Sequence, residues 1–249
     1  MLRVTGDIVN NGTKGLSPCP IRMGTGTFTI AAKGLVAAGS SIATMPQTGD
    51  LTVLWEIGAD GISGANLISH PNISSSARFT AESDFTIAAP MALGKVFTFD
   101  TGDGYTVTLG DGDGNGWFVR GGRMEISGAG KVVCNCVSTN VYNNYDAYSG
   151  EVRVLSGAAL TFNFTDAAAA PVLAVAGGKS AKASGAVTVG ISGDASAKKV
   201  PYALTTCGGF GSATVTLAAG SPDWAKLSVD GNGNLVLERK KTGLVLIVR

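Results

Sequence analysis

Charge, histidine and helical periodicity are scarce in this sequence. Charged residues make up 15% of its 249 residues, the net charge is +1, and His70 is its one histidine. Nucleic acids and anionic membranes select clustered positive charge, so a nearly neutral chain is not expected to bind nucleic acid. The one basic cluster, Arg239–Lys241, is interpreted as a solvated turn. A serine–histidine–aspartate triad would need His70, and no G-x-S-x-G elbow is present to hold its serine.

Long apolar runs and an export leader are also lacking. No apolar run approaches the roughly 20 residues that cross a bilayer as a helix, so we expect no direct membrane insertion. Residues 1–5 lead straight into alternating sequence, and this chain shows no signal peptide. The pattern fits either a cytoplasmic protein or a fragment of a longer exported chain.

Four cysteines leave the redox state open. Cys134 and Cys136 lie two residues apart on one strand face, which is a poor geometry for a mutual disulfide. A CxC pair without a nearby histidine is also a weak zinc signal. We expect buried thiols, while a disulfide of Cys19 with Cys207, or of either with the pair, remains an alternative.

Glycine and alternating sequence are abundant by contrast. The chain has 36 glycines, which supply the positive φ angles of tight turns between short strands. In the segment Tyr148–Phe164, Val152 and Val154 point to one side, Glu151 and Arg153 point to the other, and alternation resumes after a Ser-Gly turn. A period of two indicates β-strands, and no convincing stretch has helical apolar spacing.

Similar units recur along the chain. The five aligned segments are Gly26–Val36, Ser83–Leu93, Gly121–Val132, Ser149–Leu160 and Ser184–Gly193, with the inward pairs Phe28/Ile30, Phe85/Ile87, Met124/Ile126, Val152/Val154 and Val187/Val189. With an extra unit near Val53, the spacing is about 25–40 residues, which suits one coil of a solenoid. We therefore predict an all-β chain that forms an irregular parallel β-helix. A β-sandwich is the alternative, because it also shows short strands separated by turns.

Residues 200–249 show a different pattern. Strands with hairpin-like connections are predicted at Val200–Leu204, Ala213–Ala218, Ala225–Val229, Leu235–Glu238 and Leu244–Val248. Asp230–Gly233 is a D-G/N-G turn between alternating runs. A solenoid needs its last apolar layer covered. We therefore predict a β-helix with irregular N-terminal coils over 1–199 and a C-terminal antiparallel β cap over 200–249, packed on the same core.

Two stretches carry a family resemblance. The repeat YSGEVRVLSGAALTF, from Tyr148 to Phe162, resembles the autotransporter-associated β-strand repeat. The tail, with VPYALTT, VTLAAGSPDWAKLSVDGNGNLVLE and GLVLIVR, is similar to the carboxyl ends of large repetitive surface proteins of the Verrucomicrobia–Lentisphaerae type. The resemblance covers about Tyr145–Arg249. It implies a right-handed parallel β-helix from the end of an exported, passenger-like protein and implies no enzymatic activity, although such passengers usually carry fewer cysteines.

One acidic loop matches the start of a calcium-binding loop. Asp111, Asp113 and Asn115 alternate with glycines in a D-x-D-x-N-G pattern whose oxygen atoms suit a hard cation. The twelfth position is Gly122, where a calcium loop needs a bidentate glutamate, and Glu125 comes three residues late. Calcium is therefore the one cofactor considered, and a plain acidic turn is the alternative.

An aromatic, amide-rich loop precedes the clearest repeat. Tyr142, Tyr145 and Tyr148 recur at every third residue, and Asn143 and Asn144 lie between them. Tyrosine rings stack on sugar rings, and amides hydrogen-bond to hydroxyl groups. We predict glycan contact at these five residues; the alternative is that the rings pack against the coil and leave their hydroxyls in water.

These features predict a structural or adhesive β-helix portion of a bacterial surface or secreted protein. We expect no catalysis, an extracellular or cell-surface location as a fragment of a longer exported protein, and glycans or other surface proteins as partners. The alternative is a carbohydrate-binding or carbohydrate-cleaving β-helix. Candidate acids for cleavage are Asp100, Asp103, Asp111, Asp113 and Glu125, and all but Glu125 lie in glycine-rich turns where acids are common.

Overall fold

The computed structural model describes residues 2–3, 5–6, 8–10, 22–23, 26–37, 42–43, 45–46, 51–64, 68–69, 76–87, 91–92, 96–110, 112, 117–120, 123–135, 139–142, 151–164, 171–175, 181–197 and 199–241. The first strands are β1 (Leu2–Arg3), β2 (Ile8–Asn10), β3 (Arg22–Met23), β4 (Gly26–Ala37), β5 (Ile42–Ala43), β6 (Met45–Pro46), β7 (Leu51–Gly64) and β8 (Ile68–Ser69). The middle strands are β9 (Ser76–Ala81), β10 (Phe85–Ile87), β11 (Met91–Ala92), β12 (Val96–Asp100), β13 (Thr106–Leu109), β14 (Trp117–Arg120), β15 (Arg123–Ser127), β16 (Lys131–Cys134) and β17 (Thr139–Tyr142). The last strands are β18 (Glu151–Val154), β19 (Ala159–Phe164), β20 (Leu173–Val175), β21 (Ala181–Ala183), β22 (Gly185–Gly193), β23 (Tyr202–Ala203), β24 (Ala213–Leu217), β25 (Ala225–Val229) and β26 (Leu235–Arg239), with a short 3₁₀ turn at Ala195–Ala197.

Most of the described strands form three parallel ladders that the chain visits in turn, and β3 with β6 and β5 with β8 form two further short parallel pairs. Ladder A joins the first parts of β4 and β7 to β9, β12, β15, β18 and β21. Ladder B joins β2 and the later parts of β4 and β7 to β10, β13, β16, β19, β22 and β24. Ladder C joins β11, β14, β17 and β20. Each circuit through A, B and C is one coil, so the all-β parallel solenoid is confirmed.

Apolar side chains stack in register on the inner side of ladder A. One column runs through Phe79, Phe99, Ile126, Val154 and Ala183, in steps of 20, 27, 28 and 29 residues. All five are 0–4% exposed. Because each large apolar side chain buried this way contributes about 1.5–3 kcal/mol, the column holds successive coils together. Three of these four steps lie within the spacing of about 25–40 residues that the aligned segments predicted, and the step of 20 residues is shorter.

Ladder B has an equivalent inner column. It runs through Ile87, Leu109, Cys134, Phe162 and Ile191, all of them buried. Outward residues alternate with these positions, as in β19, where Leu160, Phe162 and Phe164 are buried and the residues between them are partly exposed. The alternation predicted for Val152 and Val154 against Glu151 and Arg153 is confirmed in β18.

The repeat alignment was wrong in one respect. The Met124/Ile126 and Val152/Val154 pairs lie in ladder A, together with the segment that contains Phe28 and Ile30, whereas Phe85/Ile87 and Val187/Val189 lie in ladder B. The aligned segments therefore mix two faces of the coil. Every inward face reads apolar-x-apolar, so a period of two cannot distinguish one face from another. The extra unit near Val53 is confirmed as part of β7.

The C-terminal region combines one more partial coil with an antiparallel sheet. Strand β24 pairs parallel to β22 and so continues ladder B, although Ala213–Ala218 was predicted to lie in the antiparallel cap. Alternation alone does not reveal strand direction. The sheet β23–β26–β25 is antiparallel, and the Asp230–Gly233 hairpin turn joins β25 to β26. The predicted strand Leu244–Val248 lies outside the described residues.

The antiparallel sheet packs on the end of the coil stack. Leu204, Phe210, Leu235 and Leu237 are fully buried and belong to the same apolar cluster as the coil residues. The Tyr202 ring meets the Phe164 ring edge-on, with 5.8 Å between the two centroids. The last coil therefore lies against the cap, which covers its apolar layer.

Candidate functional site

The predicted calcium residues lie outside the described part of the chain. These residues are Asp111, Asp113 and Asn115. Gly112, between Asp111 and Asp113, is described and has a φ of +83°. The calcium site therefore remains a prediction. Within the described ranges, no group of three or more histidine, cysteine, aspartate or glutamate side chains is placed to hold a metal ion.

The predicted glycan-contact residues are described in part. Tyr142 is the last residue of β17, where its backbone is in register with Arg120 of β14. Asn143, Asn144, Tyr145 and Tyr148 lie outside the described residues. The arrangement of these five side chains therefore remains a prediction.

A row of charged side chains runs across the outer face of ladder A. Arg123 and Glu125 lie on β15, Glu151 and Arg153 on β18, and Lys182 on β21. Glu151 Oε1 lies 3.0 Å from Arg153 Nε and 3.2 Å from Lys182 Nζ. Glu125 Oε1 lies 3.8 Å from Arg153 Nη1 and 2.9 Å from Arg123 Nε, the latter without hydrogen-bond geometry. We call these five residues the charged row.

The charged row is largely neutralised from within. Burial raises the pKa of Glu151, but hydrogen bonds from Arg153 and Lys182 outweigh it, and the pKa is lowered overall. The same hydrogen bond raises the pKa of Arg153. Each carboxylate contacts two cations, so the row links three successive coils and offers little unpaired charge to an outside ligand.

The Asp100 carboxylate is likewise engaged in hydrogen bonds within the protein. Its side chain accepts hydrogen bonds from Arg78 Nη2 and Nε and from the backbone N–H of Gly102. The neighbouring Thr101 hydroxyl donates to Ser127 O and accepts from Gly130 N. The predicted acid Asp100 ends β12, and Asp103 lies in the turn that follows, between ladders A and B. Asp100 ties the start of this turn to the preceding coil, and Thr101 ties it to the next coil.

A row of amide and hydroxyl side chains follows ladder B. Asn163 Nδ2 donates to Asn135 Oδ1 at 2.8 Å, and Ser192 Oγ donates to Asn163 Oδ1 at 2.9 Å. Asn135 Nδ2 reaches Gly110 O at 3.4 Å. We call Asn135, Asn163 and Ser192 the amide row. Sequence reasoning missed it, although each residue directly follows a buried residue of the ladder B inner column, namely Cys134, Phe162 or Ile191.

The Asp230 turn is closed by internal hydrogen bonds. Asp230 Oδ1 accepts from the backbone N–H groups of Asn232 and Asn234, and Oδ2 accepts from Asn234 Nδ2. These bonds lower the pKa of Asp230, chiefly through the Asn234 backbone N–H. Because both carboxylate oxygens already have donors, the turn needs no cation to be stable.

Two of the four cysteines are described. Cys134 and Cys207 are buried free thiols, as expected for Cys134, while Cys19 and Cys136 lie outside the described residues. Burial raises the pKa of Cys207 to about 11, and its Sγ donates to Leu173 O at 3.7 Å. A buried thiol with a raised pKa is a poor nucleophile.

A cleft of about 750 Å³ opens beside the end of β26. It is lined by Val200, Pro201, Lys226, Glu238, Arg239, Lys240 and Lys241. The Arg239 guanidinium lies 4.4 Å from the centroid of the Trp224 ring and donates from Nη2 to Ser196 O at 3.2 Å. Four cations and one carboxylate thus meet at the surface of the cap. We call this site the cap cleft.

The register of the ladders places this molecule among the parallel β-solenoids. No protein-family model, curated protein or solved structure matches the chain. The described residues contain no helix with the length and hydrophobicity that a membrane crossing requires.

Proposed function

We propose that this protein is a structural or adhesive β-helix portion of a bacterial surface or secreted protein, without catalytic activity. It belongs outside the cell or on its surface, as part of a longer exported, passenger-like chain. The observation that carries this proposal is that two sets of side-chain contacts, one inside and one outside, join successive coils. Apolar columns stack inside ladders A and B, and polar rows bond coil to coil outside.

This arrangement suits a stiff spacer. In parallel ladders, backbone hydrogen bonds run along the stacking direction, and each coil adds about 4.8 Å of length. The charged row and the amide row add side-chain bonds in the same direction. Bending the stack would break several of these bonds at once. The molecule therefore resists bending and can act as a rigid spacer that extends away from a cell surface.

Three of the described acidic side chains also support a non-catalytic role. Glu125 and Glu151 are paired with cations of the charged row, and Asp100 with Arg78. A carboxylate that acts as acid or base must reach its substrate, and these contacts hold the carboxylates on neighbouring strands instead. The proposed surface location is supported by the resemblance of Tyr148–Phe162 to the autotransporter-associated repeat.

Protease shaving of intact cells from the source organism tests this proposal. An antibody against the chain should detect a band far above 25 kDa, because the proposed protein is longer than this 25.1 kDa chain. Shaving should remove that band while a cytoplasmic marker survives. A protected, soluble band near 25 kDa would show that the surface role is wrong.

A glycan array tests the partner we propose. Wild-type protein is compared with a variant that carries Tyr142→Ala, Tyr145→Ala and Tyr148→Ala. Specific binding that the variant loses would support glycan contact through that loop. Binding that the variant retains would assign the contact to another surface, and the absence of any wild-type binding would leave the spacer without a glycan partner.

A further inference from the structure

The cap cleft has one apolar side and a strongly cationic lining. Val200 and Pro201 lead into β23 and form the apolar part, and Lys226 lies on β25. Arg239 ends β26, and Lys240 and Lys241 follow it. The cleft gathers four cations around one carboxylate in a protein whose net charge is +1. The basic cluster interpreted from sequence as a solvated turn is therefore part of a concave surface.

The cations in this cleft differ in how they are held. Lys226 Nζ donates to Glu238 Oε2 at 2.8 Å, so this lysine and the carboxylate largely offset each other. Arg239 is fixed between the Trp224 ring and Ser196 O. The ammonium groups of Lys240 and Lys241 make no close ion pair with any residue that the structure describes, although the pKa of Glu238 is lowered by the hydrogen bond from Lys226 and, to a lesser extent, by the charge of Lys241. An incoming anion would thus find one oriented guanidinium and two available ammonium groups.

We propose that the cap cleft binds an acidic saccharide, that is, a carboxylate- or sulfate-bearing sugar unit of a polysaccharide. The guanidinium fork and ammonium groups match carboxylate or sulfate oxygens. The Val200–Pro201 side matches the C–H face of a sugar ring. The volume of about 750 Å³ lies within the usual range for small-ligand sites.

The surrounding residues favour a saccharide over a nucleic acid. A single-stranded nucleic acid is bound through aromatic rings that stack on its bases. The residues that the structure describes as lining the cleft include no aromatic ring, and the nearby Trp224 ring has one face covered by Arg239. The inference rests on the proposed surface function, because an exported protein encounters acidic polysaccharides, and it adds a binding site distinct from the tyrosine loop.

Binding of the full chain to defined polymers tests the assignment. The probes are polygalacturonate for carboxylate, dextran sulfate for sulfate, unmodified dextran as the neutral polymer, and single-stranded DNA. The cleft variant carries Lys240→Ala and Lys241→Ala. The matched control carries Lys131→Ala and Lys182→Ala, which remove the same charge from exposed positions on the coils. Thermal melts check that both variants are folded.

We expect wild-type protein to bind one or both acidic polysaccharides and not dextran. The cleft variant should bind about tenfold more weakly, because each lysine contact contributes up to about fivefold, and the control should stay within about twofold of wild type. Binding should weaken as salt is raised, since the contacts are exposed. Binding to carboxylate alone or sulfate alone identifies which anion the cleft takes.

Three outcomes would overturn the assignment. They are failure to bind either acidic polymer, equal losses in the two variants, and tighter binding to DNA than to both acidic polysaccharides. The shaving experiment is independent of these results. A surface protein that binds no acidic saccharide would refute the cleft assignment alone, whereas a protected cytoplasmic band would refute the surface function whatever the cleft binds.

Discussion

Single residues matter most where two coils touch through their backbones. Gly130 lies in the turn between β15 and β16, directly over Tyr105 of the preceding coil, and an added Cβ would overlap the Tyr105 backbone. Its N–H donates to Thr101 Oγ1 at 2.9 Å, and Lys131 N donates to Tyr105 O at 3.0 Å. The two turns therefore pack backbone against backbone, and moving them apart would break these hydrogen bonds.

Gly130→Ala should lower the free energy of unfolding by about 3 kcal/mol or more, because a backbone clash forces neighbouring coils apart. Urea denaturation followed by circular dichroism measures this change. Gly211→Ala is the matched control, since an added Cβ there meets no atom within 4 Å. Equal midpoints for the two variants would contradict the close contact at Gly130.

The amide row makes a second residue-level prediction. Asn135→Ala removes the acceptor for Asn163 Nδ2 and the donor to Gly110 O. We expect a loss of about 1–2 kcal/mol, the usual range for partly buried hydrogen bonds whose partners remain. Asn232→Ala, at an exposed turn position, should change the urea midpoint little. A neutral Asn135→Ala would show that the row does not stabilise the stack.

At the level of elements, the ladders are joined by side chains as well as by backbone. The charged row connects β15, β18 and β21, and Glu151 is its central carboxylate. The Glu151 side chain is 13% exposed, and its partners Arg153 and Lys182 are 35% and 66% exposed. The Arg153 contact is therefore less screened by water than the Lys182 contact and carries more of the stabilisation.

Acid should weaken this connection. The folded pKa of Glu151 is below its ordinary value of 4.5, so its contribution is present above that value and is lost as pH falls through the folded pKa. Glu151→Gln should cost about 1 kcal/mol at pH 7 and progressively less as the pH falls below about 4. Urea midpoints between pH 7 and pH 3 measure this.

The control for the acid experiment is Asp103→Asn, because Asp103 lies in an exposed turn between β12 and β13. Its midpoint should follow that of the wild type across the pH range. A constant difference between Glu151→Gln and wild type at every pH would show that loss of ion pairing is not the cause.

At the level of the whole molecule, the cap covers one end of a stack that would otherwise expose apolar residues. Phe164 contacts Tyr202, and Leu173 is bridged to Thr205 beyond residue 200. Exposed layers and free strand edges promote association between chains.

A chain truncated after Lys199 should therefore self-associate. Size-exclusion chromatography with light scattering should show the truncated chain at higher mass than the full chain at equal concentration. It should also bind a hydrophobic dye more strongly. If the truncated chain had the same oligomeric state and the same melting temperature as the full chain, a covering role for residues 200–249 would be contradicted.

The sequence alone was sufficient to predict strands, a coiled arrangement and an antiparallel end, because burial on one face imposes a period of two. The inward positions of Val152 and Val154 and the Asp230–Gly233 turn depend on nearest neighbours, and they were predicted correctly. The calcium residues Asp111, Asp113 and Asn115 and the tyrosine loop remain predictions from local pattern.

Only the tertiary structure decided which face each strand occupies and which distant side chains meet. Asn135 and Asn163 are 28 residues apart, and their contact depends on the lengths of the intervening turns. The parallel direction of β24 depends in the same way on how coils stack, whereas Lys226 and Arg239 are brought together by the antiparallel pairing of β25 with β26. Local alternation determines that a residue points inward or outward, whereas its partner is set by long-range register, which no short stretch of sequence encodes.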